Sequence, residues 1–102
     1  MKKKTYNFVP LFEREIPPVH PGEILLEEFL RPLNMTQSEL AKKLNVSFRT
    51  INDLINEKRG ISPEMAIKLA NFFGTTPQFW MNFQRDYDLW KAHNKMGEKK
   101  AG

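Results

Sequence analysis

TQSELAKKLNVSFRTINDLIN, residues 36–56, places apolar side chains at Leu40, Ala41, Leu44, Val46, Ile51 and Leu54. The first three keep helical spacing, the rhythm breaks at Asn45-Val46, and it restarts out of phase. Thr36 with Glu39 three residues on is a capping box, so one helix starts at Gln37 and runs to about Leu44. Ser47 can cap the next, from Phe48 to about Asn56. The break is therefore a tight turn. Leu40, Ala41 and Leu44 face inward from the first helix, Val46 plugs the corner, and Ile51 and Leu54 face inward from the second. Ala41 is small where the two helices cross closely. Asn45 stands where the chain leaves its helix, a place that often needs a left-handed backbone, which glycine adopts best and asparagine tolerates.

Outward from this stretch the signals remain helical. Upstream, Pro21 suits a first turn, Glu23 and Glu27 lie towards the N-terminal end, and Leu25, Leu26, Phe29, Leu30 and Leu33 form one stripe. Pro32 predicts that this helix ends near Arg31. Downstream, Ser62-Pro63-Glu64 and Thr76-Pro77-Gln78 repeat one start signal, an oxygen-bearing cap followed by proline in the first turn. They open a fourth and a fifth helix. Gly74 closes the fourth after Phe73, and the fifth is expected to continue past Trp90 and fray over residues 94–102. No segment alternates with period two, so the fold reads as all-α with five helices. Residues 1–19 carry Pro10, Pro17 and Pro18, no helical period, and apolar Phe8, Val9, Leu11, Phe12 and Ile16, which predicts an extended arm too apolar for a simple linker. The expected organisation is an arm at 1–19, a helical domain at 20–96 centred on 37–56, and a disordered tail at 97–102.

With 102 residues and 40% hydrophobic content the chain holds one small core. It has no cysteine, which rules out a disulfide framework or a Cys-based zinc site and suits a reducing compartment, so a cytoplasmic location is expected. No apolar run approaches the roughly 20 residues of a membrane-spanning helix. The start, MKKKTYNFVPLF, lacks the continuous apolar segment and cleavage site of a signal peptide, so a soluble, unprocessed chain is expected. The net charge of +4 is spread unevenly: residues 1–19 hold +2 of it, GEKKAG holds +1, and +1 is left for the stretch between. An argument for nucleic-acid binding must then rest on local arrangement.

That arrangement exists. Two short helices joined by a turn of about three to four residues and crossing near a right angle make a helix-turn-helix, whose second member enters the major groove. Residues 37–56 resemble the helix-turn-helix of the phage-repressor-like family, in which glycine is the commonest turn residue and Asn45 stands here. HPGEILLEEFLRPLNMTQSELAKKL and RGISPEMAIKLANFFGTTPQFWMNFQRDYDL, together spanning about residues 19–89, resemble a narrower group, the antitoxins of the HigA and VapI type. The blocks HPGEIL, ISPEMA and FWMNFQ carry that likeness. It implies an antitoxin that binds and silences a toxin resembling RelE-type messenger-RNA nucleases and represses its own operon as a dimer, on a palindromic operator in double-stranded DNA.

With Val46, Ile51 and Leu54 committed to the core, the opposite face of the second helix shows Phe48, Arg49, Asn52, Asp53 and Asn56. Arg49 can pair with guanine O6 and N7, Asn52 with adenine, and Asp53 can accept from cytosine N4 or instead orient Arg49. Phe48 either contacts a thymine methyl or folds back towards Ile51 and Ile55. Gln37 and Ser47, at helix N-termini, are candidates for phosphate contact, as are Thr50, Asn56, Lys58 and Arg59. Lys42 and Lys43 read as a solvated face.

Enzyme readings find no constellation. No second histidine or cysteine lies at metal-ligand spacing from His20 or His93, His20 reads as a helix-start residue, Glu27 and Glu28 point to different sides of one helix, and there is no phosphate-binding glycine loop. No cofactor or metal is expected. Trp80, Phe83, Tyr87 and Trp90 recur at helical spacing in the fifth helix. Trp80 and Phe83 are expected to complete the core, whereas Tyr87 and Trp90, with Phe8 and Phe12 of the arm, are candidates for a dimer or toxin interface.

Overall fold

The computed structural model describes residues 18–101, with side chains as far as Gly97. Phe8, Phe12 and the rest of the expected arm up to Pro17 lie outside the described residues. Within them the chain is five helices without a strand, as the sequence predicts. α1 covers residues 21–33, α2 Gln37–Leu44, α3 Phe48–Ile55, α4 Pro63–Phe73 and α5 Pro77–Ala101.

α1 departs from the sequence reading. It starts as an α-helix over Pro21–Ile24, widens to a π-helix over Leu25–Leu30, and closes as α-helix over Arg31–Leu33. The expected stop before Pro32 does not occur. A proline inside a regular helix lacks one N–H and collides with the carbonyl four residues back. Here the turn before it is widened, so that the Arg31 N–H reaches the Leu26 carbonyl, five residues back, and the proline is accommodated. The wider turn also shifts the phase of the stripe. Leu25 and Leu30 are buried, but Leu33, expected inside, is 56% exposed. Asn34 then ends α1 with a left-handed backbone, φ 55°.

The caps fall where the sequence puts them. The Thr36 Oγ1 accepts the Glu39 N–H at 3.0 Å while the Glu39 carboxylate accepts the Thr36 N–H at 2.8 Å. Ser62 caps α4, and Gly74 ends it at φ 78°. The Thr76 Oγ1 accepts the Phe79 N–H at the start of α5. α5 then runs to Ala101, longer than expected and through most of the predicted disordered tail. Glu98, Lys99, Lys100 and Ala101 of the tail are good helix formers, and among residues 97–101 Gly97 is the weak one.

The core joins Leu25 and Leu30 of α1, Leu40, Ala41 and Leu44 of α2, Ile51 and Leu54 of α3, Ile61, Met65, Ala66, Leu69 and Ala70 in and before α4, and Trp80 of α5. Val46 packs against it, as a corner plug should. Trp80 is fully buried, its ring 5.1 Å from those of Phe29 and Phe79, and its indole N–H donates to the Thr75 Oγ1 at 2.7 Å. A buried tryptophan with its one polar group satisfied adds area at no polar cost. Phe83 is half-buried against Phe79.

Candidate nucleic-acid interface

α3 is held from behind by Ile51 and Leu54, both almost wholly buried. That fixes its opposite face outward. Phe48, Arg49 and Asn56 are exposed there, with Thr50, Asn52 and Asp53 half-buried beside them. Phe48 is 50% exposed. The α2 N-terminus lies next to this face. The Asn52 Nδ2–H donates to the Gln37 Oε1 at 3.0 Å, and the Asn56 Nδ2–H donates to the Asn52 Oδ1 at 3.1 Å. One polar thread thus ties the start of α2 to the length of α3, and Gln37 spends its oxygen on α3 while keeping its NH2 as a donor. The Ser47 Oγ accepts the Thr50 N–H at 3.1 Å and lies 2.9 Å from the Thr50 Oγ1, so both hydroxyls sit at the mouth of α3. Two helix N-termini with exposed N–H-rich first turns form a surface suited to anions.

Asp53 draws two arginines together. Its Oδ2 lies 3.5 Å from the Arg49 Nε and 3.6 Å from the Arg59 Nη2. Lys58 and Arg59 are exposed on the loop between α3 and α4. This loop opens with Glu57 in the left-handed region at φ 62°, a conformation unfavourable for a residue without glycine's freedom. It is pinned at its far end by Gln84 of α5, whose Oε1 accepts the Ile61 N–H at 2.6 Å and whose Nε2–H donates to the Asp88 Oδ1 at 2.9 Å. At its near end Gly22 of α1 lies against the Leu54 carbonyl so closely that a Cβ would land on that oxygen. Lys68 adds a cap across elements, its Nζ donating to the Leu44 carbonyl at 3.2 Å.

The structure therefore brings Gln37, Ser47, Phe48, Arg49, Thr50, Asn52, Asp53 and Asn56 to one face, with Lys58 and Arg59 on the adjoining loop. Tyr87 and Trp90 lie elsewhere, on α5. Tyr87 is half-buried and meets the His20 ring edge-on at 4.8 Å, so its own domain covers part of it. His20 is the helix-start residue the sequence predicts: its Nδ1 accepts the Gly22 N–H at 2.9 Å, and burial lowers its pKa from the usual 6.5. Gly22, Gln84 and Lys68 escaped the sequence reading, because each acts on a partner distant in the chain.

By its geometry this is a helix-turn-helix domain. The sequence pattern of the helix-turn-helix family matches residues 26–80. Virulence-associated protein I of Dichelobacter nodosus is 44% identical over 81 residues, 79% of this chain and 75% of that protein. An uncharacterized HTH-type transcriptional regulator of Haemophilus influenzae is 49% identical over 79 residues, 76% of this chain and 74% of that one. The structure of the antitoxin HigA of Pseudomonas aeruginosa with the higBA promoter superposes with a TM-score of 0.77 at 48% identity, covering 80% of this chain and 89% of that chain. The chain belongs to the helix-turn-helix family, in the group of the HigA antitoxins and virulence-associated protein I.

Proposed function

We propose that this chain is the DNA-binding antitoxin of a type II toxin-antitoxin pair, acting in the cytoplasm as a homodimeric repressor of its own operon. The observation that carries this reading is the outward face of α3, with Arg49, Asn52 and Phe48 set beside the N-termini of α2 and α3. Arg49 and Asn52 read base edges, Phe48 meets a thymine methyl, and Gln37, Ser47, Thr50, Asn56, Lys58 and Arg59 follow the phosphates. One short recognition helix supplies too little affinity alone, so two copies bind a palindrome with half-sites about one helical turn, roughly 34 Å, or a multiple of it apart. The toxin is a RelE-like messenger-RNA nuclease, met through the N-terminal arm with Phe8 and Phe12 or through Tyr87 and Trp90. The chain itself catalyses no reaction. The HigA structure with its promoter, at 48% identity, supports the DNA half of the reading.

The test is a gel-shift against the DNA upstream of the chain's own gene. Arg49→Ala is expected to weaken that complex by about 1–3 kcal/mol and to relax preference at one base pair, whereas Lys58→Ala weakens operator and random DNA alike. Equal losses on both DNAs for both variants would sink the assignment of Arg49. A second reading, a regulator without a toxin, is favoured by the 49% identical Haemophilus influenzae relative, which bears only a regulator's name. Growth rescue on co-expression with a small protein encoded beside this gene separates the two.

A further inference from the structure

We propose that Asp53 is a positioning residue that sets the base selectivity of α3 by holding Arg49 and Arg59 off the phosphates; this rests on the DNA-binding reading above. A carboxylate on a surface that meets a polyanion is repelled by every sequence alike, so an acid there lowers general affinity. Asp53 is nevertheless well placed. Its side chain is 19% exposed, against 85% for Arg49 and 49% for Arg59. One oxygen, Oδ2, is shared by Arg49, one turn earlier on α3, and by Arg59, on the loop beyond the helix end.

The atoms used define the consequence. Arg49 approaches the carboxylate through Nε, which leaves Nη1 and Nη2 as the outward pair of donors. Those two match the spacing of guanine O6 and N7. Arg59 approaches through Nη2 and is drawn back towards α3. An arginine with no such anchor settles on whichever phosphate is nearest, a contact that carries no sequence information. The shared carboxylate thus lowers non-specific attraction and presents one arginine in the geometry that discriminates.

Asp53→Asn keeps the shape and removes the charge. Random-DNA affinity is expected to rise about three- to tenfold, operator affinity to change less, and the salt dependence on random DNA to steepen by about one phosphate contact. Asp53→Glu, which restores the charge, should recover most of the operator-to-random ratio. Melting temperatures should barely move, because both arginine partners are largely solvated and such pairs contribute little to stability. A merely structural residue would give the opposite pattern, a lower melting temperature with an unchanged ratio. A double-mutant cycle supplies a second measurement: with Arg59→Gln already in place, the gain of Asp53→Asn on random DNA is expected to shrink. Equal gains in the two backgrounds, or an unchanged ratio and salt slope, would overturn the role of Asp53 and leave the DNA-binding reading intact. A wild-type chain with no operator preference would instead overturn the reading on which it rests.

Discussion

α2 and α3 end in the same way and are followed by different kinds of turn. After Leu44 the chain passes through Asn45 at φ 58°, with the Val46 N–H on the Ala41 carbonyl at 2.9 Å and the Asn45 N–H on the Lys42 carbonyl at 3.2 Å. After Asn56 it passes through Glu57 at φ 62°, with the Lys58 N–H on the Asp53 carbonyl at 2.8 Å and the Glu57 N–H on the Leu54 carbonyl at 3.1 Å. Both are the paired closure that satisfies a helix's last carbonyls around a left-handed residue. The residue after the left-handed one then differs. In the first turn it is Val46, which packs on the core, and Ser47 caps the next helix at once. In the second it is Lys58, exposed; beyond it the Arg59 side chain reaches back to Asp53, and the backbone is held at Ile61 by Gln84 from 23 residues away. A turn that must fix the angle of α3 is built mainly from its own residues, with Lys68 of α4 adding one bond from outside, to the Leu44 carbonyl. A turn that must hold Lys58 and Arg59 out in solvent gives up its apolar plug and is held by α1 and α5.

The largest expected effect comes from the α1 side. Gly22→Ala would drive a Cβ onto the Leu54 carbonyl oxygen, backbone against backbone, where no change of rotamer gives relief. That same carbonyl accepts the Glu57 N–H. The substitution should cost about 3 kcal/mol or more, read by urea or thermal unfolding. A neutral outcome would mean that α1 does not fix the start of the second turn, and the contrast with the first would lose one of its two supports.

The α5 support is tested by a pair of substitutions. Gln84→Ala leaves the part-buried Ile61 N–H without its acceptor, at a cost of about 1–3 kcal/mol. Ser47→Ala removes the local cap of α3, worth about 1 kcal/mol. Hydrogen exchange separates them. Gln84→Ala should expose the amides of residues 57–61 and leave that of Thr50 protected, while Ser47→Ala should do the reverse. Loosening of both turns by either change would show the two to be one cooperative unit.

This contrast also sets what could be read from the sequence. The first turn was legible because its signals are local: asparagine for the left-handed step, serine for the cap, small Ala41 at the crossing. The second was not, since glutamate carries no turn signal and Gln84 carries no mark that it will meet Ile61. The stop expected at Arg31 failed for a similar reason, because Pro32 is a breaker only if the preceding turn stays regular, and the π segment absorbs it. On the candidate site, helical phase named Phe48, Arg49, Asn52, Asp53 and Asn56 of the outward α3 face, with Thr50 added beside them as a phosphate contact. It gave none of the pairings that connect elements, such as Asn52 with Gln37 or Arg59 with Asp53, because these depend on how elements meet.

The smallest expected effect is one of pH, and it should touch the second turn alone. His20 lies over that turn's anchor, in a polar recess of about 200 Å³ lined also by Glu57, Gln84, Tyr87, Asp88 and Lys91. Burial lowers its pKa; Glu57, Asp88 and Glu23 pull it up and Lys91 pushes it down, so burial outweighs the carboxylates. Its Nδ1 accepts the Gly22 N–H, so protonation would charge a buried ring and set a donor against a donor. In the unfolded chain the same imidazole titrates near its ordinary 6.5. As pH falls through that value the unfolded state takes up a proton that the fold refuses. Stability is therefore lost from about 6.5 downward until the lowered folded pKa is passed, and His20 contributes no further loss below it. His20→Asn offers a carbonyl oxygen to the same Gly22 N–H without titrating, and should flatten the slope of unfolding free energy between about pH 7.5 and about pH 5. Comparing the two chains removes the background of the other carboxylates. Equal slopes in both would show that the His20 ring carries no pH dependence into the fold.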